Sequence, residues 1–294
     1  MQTIIVGDKL AEKLAQYLRL DVITIEERVF PDGEIKPKLK KEIKADNAVL
    51  LLQKRESENI NDYLIKYFLI ARKIKETVPK LIGIMPYFPY ARQDAVFEDG
   101  EPISSLYLGE LLSHILDVFI TCNMHEHRKK ISDLFRIPAY NLSLFNDLAK
   151  YFNDLNPQET IVIGPDREAK TFVDDFCQNF PAEKIILAKE RNTKTGEISF
   201  SEKNFDFQNK NIIIIDDMVA TGGTIFEVAT MVQKAKAKTI SFVFVHPVFG
   251  DASVESLLKL NPQKIVTTNT IENSKYQLDI NECLNNFLKQ ELKI

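Results

Sequence analysis

Short apolar runs recur along the chain at TIIV (3–6), AVLLLQ (48–53), LIGIMPY (81–87), VFITC (118–122), TIVIG (160–164), KIILA (184–188), NIIII (211–215), TISFVFV (239–245) and KIVTT (264–268). They are continuous rather than alternating, the pattern of a strand buried on both faces of a sheet. Most are followed by a stretch of helical period. Leu10, Leu14 and Leu18 share one face of the first, and similar spacing runs over 60–74, 104–116 and 225–237. Strand then helix, repeated from end to end, predicts an α/β fold of mostly parallel sheets flanked by helices.

At 294 residues the chain has room for roughly two domains of ~150 residues. AVLLLQ with its helix and LIGIMPYFPYA echo NIIIID with its helix and TISFVFVHPVFG, with Pro86 and Pro247 in matching places. Either a duplicated domain or chance likeness of strand-helix units gives that echo. The polar stretch FNDLAKYFNDLNPQET (145–160), broken at Asn156-Pro157, marks the boundary, giving domains at 1–145 and 146–294. A charged segment, KERNTKTGEISFSEKNFDFQNK (189–210), reads either as a loop over a site or as a solvated hairpin.

Composition narrows the function classes. With 45% hydrophobic and 27% charged residues and a net charge of -4, the chain is neither a disordered protein nor a basic nucleic-acid binder. Cys122, Cys177 and Cys283 are scattered and odd in number, which favours a reducing compartment over a disulfide framework. The N-terminus lacks a signal peptide's pattern, and no stretch approaches the ~20 apolar residues that span a bilayer. A cytoplasmic protein with no membrane or nucleic-acid partner is expected.

NIIIIDDMVATGGT (211–224) carries the strongest chemical signal. Asp216 and Asp217 end a buried strand, where ligands bind in open parallel sheets. Thr221, Gly222, Gly223 and Thr224 form a turn into a helix, whose unpaired N–H groups and dipole favour a phosphate. No P-loop lysine is present, so this is a phosphate turn of another kind; by itself it also reads as a Gly-Gly turn with an Asp cap.

Weaker signals surround it. In YARQD (90–94), Arg92 can stack on a base while Gln93 bonds its edge, although an exposed loop with an arginine reads the same way. In CNMHEHR (122–128), His125 and His127 are spaced to share a strand face; a structural histidine is the commoner outcome. Asp166 follows TIVIG; a His and an Asp are too few for zinc, and magnesium with substrate phosphates fits better. RVFPDGE (28–34) reads as an ordinary turn, and KPKLKKEIK (36–44) as a basic surface. Lys189 and Arg191 open the charged segment, as closing cations over a phosphoryl group or as solvated charge.

In their order along the chain, FPDGE (30–34), YARQD (90–94), NMH (123–125), PD (165–166), KER (189–191) and DDMVATGGT (216–224) resemble the ribose-phosphate diphosphokinases, nearest the shorter archaeal-type branch. The resemblance implies two phosphoribosyltransferase-type domains, with the last helix packing back on the first. It implies transfer of the diphosphoryl group of MgATP to the 1-hydroxyl of ribose 5-phosphate. It places Arg92, Gln93 and His125 at ATP, with Phe30, Asp32, Gly33 and Glu34 reaching the adenine from a neighbouring subunit, hence at least a dimer. Asp216, Asp217, Ala220, Thr221, Gly222, Gly223 and Thr224, with Arg191, would hold ribose 5-phosphate. His125 and Asp166 would place Mg2+, and Lys189 and Arg191 would be the catalytic pair.

Three positions depart from the common family pattern. Ala220 replaces a hydrogen-bonding residue beside the sugar, AVFED (95–99) follows YARQD where a basic stretch is usual, and GPDREAKTF (164–172) lacks the usual glycines. Two other readings stand beside the kinase: a nucleobase phosphoribosyltransferase, which needs only one such domain, and a non-catalytic regulatory paralogue.

Overall fold

The structure, a computed structural model, describes residues 2–187, 189–191, 198–200, 205–218, 223–248, 251–273 and 276–294, with backbone alone at 189–191, 198–200 and 251–254. They form two compact units, Met1–Leu142 with Thr270–Glu272 and Asp279–Ile294, and Ser143–Asn269 with Asn273–Leu278. The first unit begins β1 (Thr3–Gly7), α1 (Lys9–Leu18), β2 (Val22–Val29), β3 (Ile35–Leu39), β4 (Asn47–Leu51), β5 (Lys54–Arg55) and α2 (Ile60–Lys75). It continues β6 (Lys80–Ile84), α3 (Ser104–Ser113), β7 (Val118–Cys122), α4 (Ile131–Leu134) and β8 (Ala139–Leu142).

Local chemistry explains these elements. Asp8 caps α1, its carboxylate accepting from the Leu10 and Ala11 N–H groups, while Leu10, Ala11, Leu14, Ala15 and Leu18 form the buried stripe. Asn59 caps α2, which buries Tyr63, Tyr67, Ile70 and Ile74 and carries Arg72, Lys73 and Lys75 in its last turn, where the dipole favours cations. Gly7 is required by close approach: a Cβ there would stand 1.9 Å from the Leu51 carbonyl oxygen.

Among the described residues the first sheet has seven strands in the order β3-β2-β1-β4-β6-β7-β8. All neighbours are parallel except the β2–β3 hairpin, where Val29 faces Ile35 and Ile25 faces Leu39. The chain crosses from β1 to β2 on one side and from β4 to β6 on the other. The winding therefore reverses between β1 and β4, leaving a crevice at their carboxyl ends.

The second unit runs α5 (Phe145–Leu148), β9 (Thr160–Gly164), α6 (Lys170–Asn179), β10 (Glu183–Ile186), β11 (Lys189–Arg191), β12 (Ile198–Phe200) and β13 (Asn211–Met218). It ends with α7 (Gly223–Lys234), β14 (Thr239–His246), α8 (Asp251–Lys259) and β15 (Lys264–Thr267). Its five-stranded sheet, β10-β9-β13-β14-β15, is parallel throughout, and the winding reverses between β9 and β13. This is the same order and the same reversal as β2-β1-β4-β6-β7, so the echo along the sequence corresponds to a repeated architecture. The chain then returns to the first unit as β16 (Ile271–Glu272), parallel to β5, and α9 (Asn281–Glu291), which packs on α1.

All nine apolar runs are strands. One difference from the sequence reading has a simple cause. Part of the basic stretch 36–44 is the edge strand β3, whose alternate residues face solvent and whose Pro37 lacks the donor a central strand needs. In the charged segment β11 pairs antiparallel with β12, in keeping with the hairpin among its two readings. Cys122 and Cys177 are buried free thiols and Cys283 is a half-buried one. No helix among the described residues is long and apolar enough to cross a membrane.

Candidate active site

At the reversal point of the second unit, β9 delivers Asp166 and β13 delivers Asp216 and Asp217. Asp166 turns back to accept from the Glu168 N–H at 2.9 Å and the Ala169 N–H at 3.3 Å, fixing the entry to α6. Asp216 is half-buried, accepts the Asp217 N–H at 2.9 Å and sits in register with Phe244 of β14. Asp217 is buried, at 5% exposure. The crowding pushes the Asp216 carboxyl well above the usual carboxylate range, first by burial and then by the negative charges of Asp217 and Asp166. Three carboxylates this close make the fully ionised site unfavourable, which a proton, a positive charge or a hydrogen-bond donor such as a sugar hydroxyl would relieve.

The next described element after β13 is α7, which starts at Gly223. Gly223 is exposed, and among the described residues a Cβ added there would meet nothing within 4 Å. Thr224 is half-buried behind it. Ala220, Thr221 and Gly222 lie outside the described residues. Lys189 and Arg191 are both in β11, opposite Phe200 and Ile198 respectively; their side chains lie outside what is described.

In the first unit, YARQD lies in the segment between β6 and α3. Arg92 is exposed and Gln93 half-buried. Gln93 is held in place: its Nε2 donates to Glu101 Oε2 at 3.2 Å and to the Ala95 carbonyl at 3.3 Å, and its carbonyl accepts from Ser105 Oγ at 3.1 Å. Glu101 also accepts the Phe97 and Glu98 N–H groups, at 2.9 and 3.1 Å. Tyr90, at φ 60°, donates its hydroxyl to Asn61 Oδ1 at 2.6 Å. Asp94 reaches across to the segment after β7, accepting from the Arg128 N–H and Nη1, each at 3.0 Å.

His125 and His127 stand beyond the end of β7, in a turn entered through Asn123 at φ 37°, so the strand-face reading of their spacing does not hold. Their rings are 6.2 Å apart. His125 is half-buried in the first unit, whereas Asp166 belongs to the second. FPDGE forms the tip of the β2–β3 hairpin. Phe30 and Glu34 close the turn, with the Phe30 N–H donating to the Glu34 carbonyl at 2.8 Å, and Asp32 accepts the Glu34 N–H at 3.1 Å. Gly33, at φ 94°, takes a conformation that favours glycine.

Sequence reasoning missed Asp8. It sits at the reversal point of the first unit, where its carboxylate accepts the Leu10, Ala11 and Gln53 N–H groups at 3.0, 3.4 and 2.6 Å. Burial raises its pKa to about 6 against those hydrogen bonds. A cleft of about 300 Å3 opens there among Asp8, Ile25, Glu27, Gln53, Arg55 and Lys66. Its charged groups are largely satisfied by one another: Arg55 bonds Glu27 at 2.6 Å and Glu58 at 3.0 Å, and Lys66 bonds Glu58 and Glu27. The signal was present in TIIVGD (3–8), a near copy of TIVIGPD (160–166).

Two mostly parallel α/β units, the second with carboxylates at its reversal point on the strand that precedes α7, define a tandem phosphoribosyltransferase-type protein. Residues 4–115 match the family described as the N-terminal domain of ribose phosphate pyrophosphokinase, and residues 138–280 match the phosphoribosyl transferase domain. A ribose-phosphate pyrophosphokinase of Methanobrevibacter smithii is 28% identical over 294 residues, covering 95% of this chain and 96% of its own. One from Saccharolobus solfataricus is 29% identical over 262 residues, covering 88% and 89%. The fold superposes on the crystal structure of phosphoribosylpyrophosphate synthetase from Mycobacterium smegmatis with a TM-score of 0.86 at 21% identity, over 100% of this chain and 99% of that one. The chain belongs to the ribose-phosphate pyrophosphokinase family.

Proposed function

We infer that the protein transfers the β,γ-diphosphoryl group of MgATP to the 1-hydroxyl of ribose 5-phosphate, giving 5-phosphoribosyl 1-diphosphate and AMP. The observation that carries this reading is the ordered pair of family matches along one chain, a nucleotide-side unit followed by a phosphoribosyl-side unit. A nucleobase phosphoribosyltransferase would leave the whole first unit without a role.

In the reaction the 1-hydroxyl oxygen attacks the β-phosphorus, the bond from that phosphorus to the α-phosphate's bridging oxygen breaks, and AMP leaves with that oxygen. The hydroxyl proton passes to solvent. The substrate supplies its own nucleophile, so the protein's work is positioning and charge neutralisation. Asp216 and Asp217 orient the ribose hydroxyls. The turn of Ala220, Thr221, Gly222, Gly223 and Thr224 holds the 5-phosphate, which is bound and never transferred. Arg92 and Gln93 hold the nucleotide, and the hairpin tip at Phe30, Asp32, Gly33 and Glu34 serves a neighbouring subunit in an oligomer. Lys189 and Arg191 stabilise the spreading charge of the moving group. A cytoplasmic enzyme that works as at least a dimer fits this scheme.

Magnesium fits the donors present. The mutual repulsion of Asp216, Asp217 and Asp166 favours a hard divalent cation, and no group of three or more His, Cys, Asp or Glu forms a protein-only cage among the described residues. Sparse protein ligation completed by substrate phosphates is how magnesium is usually held. Asp166 and His125 are its proposed protein ligands, and when bound it neutralises phosphate charge.

Phosphorus NMR of a mixture with ATP, ribose 5-phosphate and magnesium should show AMP and a new diphosphate ester. An ADP product would rule the reading out. Lys189→Ala should lower turnover at least a hundredfold, the scale of losing one pre-organised charge contact, with the thermal midpoint nearly unmoved; normal turnover would remove Lys189 from this role.

A further inference from the structure

The segment that follows YARQD is acidic. From Arg92 to Glu101 it carries one cation against Asp94, Glu98, Asp99 and Glu101. A nucleotide polyphosphate brought there by Arg92 meets a field of its own sign. The neighbouring segment beyond β7 is the opposite, with Arg128, Lys129 and Lys130 in succession.

Of these three, Arg128 is built into the nucleotide loop. Its backbone N–H and its Nη1 both donate to Asp94, at 3.0 Å each, and Asp94 is 2% exposed. Its guanidinium lies over the Phe97 ring, 5.1 Å from the centroid, although Phe97 is itself exposed. A carboxylate on one edge and an aromatic face beneath fix a planar fork that would otherwise be free to rotate. The side chain is still 46% exposed, so the fork keeps a donor edge toward solvent. Arg128 thus stands two residues from Gln93 by way of Asp94 and three residues from His125 along the chain.

We propose that Arg128 is a nucleotide-binding residue, a cation donated from the segment beyond β7 that contacts the polyphosphate of the diphosphoryl donor in place of cations absent after YARQD. This rests on the diphosphokinase reading above and deepens it. The plain alternative is that Arg128 only ties two segments together. The two differ in what replaces it: Gln keeps a donor for Asp94 and loses the charge, whereas Lys keeps the charge and loses the fork.

The test compares wild type, Arg128→Gln and Arg128→Lys by steady-state kinetics in each substrate, and by calorimetric binding of a non-hydrolysable MgATP analogue. A charge-assisted hydrogen bond of ordinary strength predicts a rise of roughly tenfold or more in the ATP KM and analogue Kd for Gln. The ribose 5-phosphate KM should stay within about twofold, and Lys should recover most of the loss. The ATP KM of wild type should also rise with potassium chloride more steeply than that of the Gln variant. Equal behaviour of Gln and Lys, or parallel shifts in both substrates, would reduce Arg128 to a strut and overturn the proposal. A wild type that neither binds the analogue nor forms AMP would instead overturn the reading beneath it, and this proposal with it.

Discussion

Asp216 is the residue whose titration bears most directly on the proposed function. Burial, Asp217 and Asp166 all favour its protonated form in the free protein. A divalent cation or a sugar hydroxyl donating to it favours the ionised form, so binding should expel a proton. Calorimetry of magnesium and ribose 5-phosphate binding in buffers of different ionisation enthalpy should reveal that release, and affinity should weaken as pH falls through the raised pKa. Binding with no buffer dependence would contradict it. Asp8 offers a stability test in the other unit. Its pKa rises from 3.8 to about 6 on folding, so the folded state binds the proton more tightly. The stability from that difference is complete below 3.8 and is lost as pH rises through about 6, a span of at most roughly 3 kcal/mol. Wild type should therefore lose stability relative to Asp8→Asn between pH 4 and pH 7 in urea titrations; a flat or rising difference would show that Asp8 is not so perturbed. The two aspartates differed in legibility. Asp216 was visible because a carboxylate pair ending an isoleucine run has no place in a core. Asp8 was hidden because a single Asp before a helix is also an ordinary cap, and here it is one.

At the scale of elements, the sequence was most readable where strands are buried on both faces and least where they lie at an edge. NIIIIDD and VFITC announce themselves. VITIEERV and IKPKL carry charge on residues that meet solvent, and AYNL is short, interrupted by Asn141 and only half-buried, so β2, β3 and β8 escaped the apolar-run criterion. The β2–β3 hairpin nevertheless has a firm anchor. Glu27 of β2 and Glu58 share Lys66 of α2, whose side chain is 7% exposed, and Arg55 of β5 joins both carboxylates. Burying such charges is tolerable only while they are paired. Lys66→Met should cost about 3–5 kcal/mol by leaving Glu58 and Glu27 short of a cation. Chemical denaturation measures it, and a loss under about 1 kcal/mol, the value of a surface pair, would show the network to be solvated. None of this spacing was legible, because Glu27, Arg55 and Lys66 come from three elements, and Glu58 from the link between β5 and α2, that only the fold brings together.

At the scale of the whole molecule, one architecture occurs twice, and the copies have diverged in what fills the reversal point. Each sheet reverses after a strand ending in glycine and then an aspartate that accepts N–H groups two and three residues on: Asp8 from Leu10 and Ala11, Asp166 from Glu168 and Ala169. In the second unit Asp216, Asp217 and Asp166 crowd together. In the first, Arg55 and Lys66 neutralise the acids from within. The same backbone site thus gathers carboxylates in one copy and a paired acid-base network in the other, a contrast set by side chains after β4 and β13 rather than by fold. The first unit also depends on chain that arrives last. Ile280, Leu284 and Leu288 are fully buried where α9 packs on α1, Asp279 pairs with Lys13, and Phe287 meets Tyr140 edge-on at 5.0 Å. Three such aliphatic side chains are worth about 1.5–3 kcal/mol each, together comparable with the whole stability of a typical domain. Deleting residues 279–294 should therefore strip hydrogen-exchange protection from α1 and β1 in the first unit, while the amides of β9 and β13, which have their own core, stay protected. Unchanged protection of α1 would mean that the first 142 residues hold this face without α9.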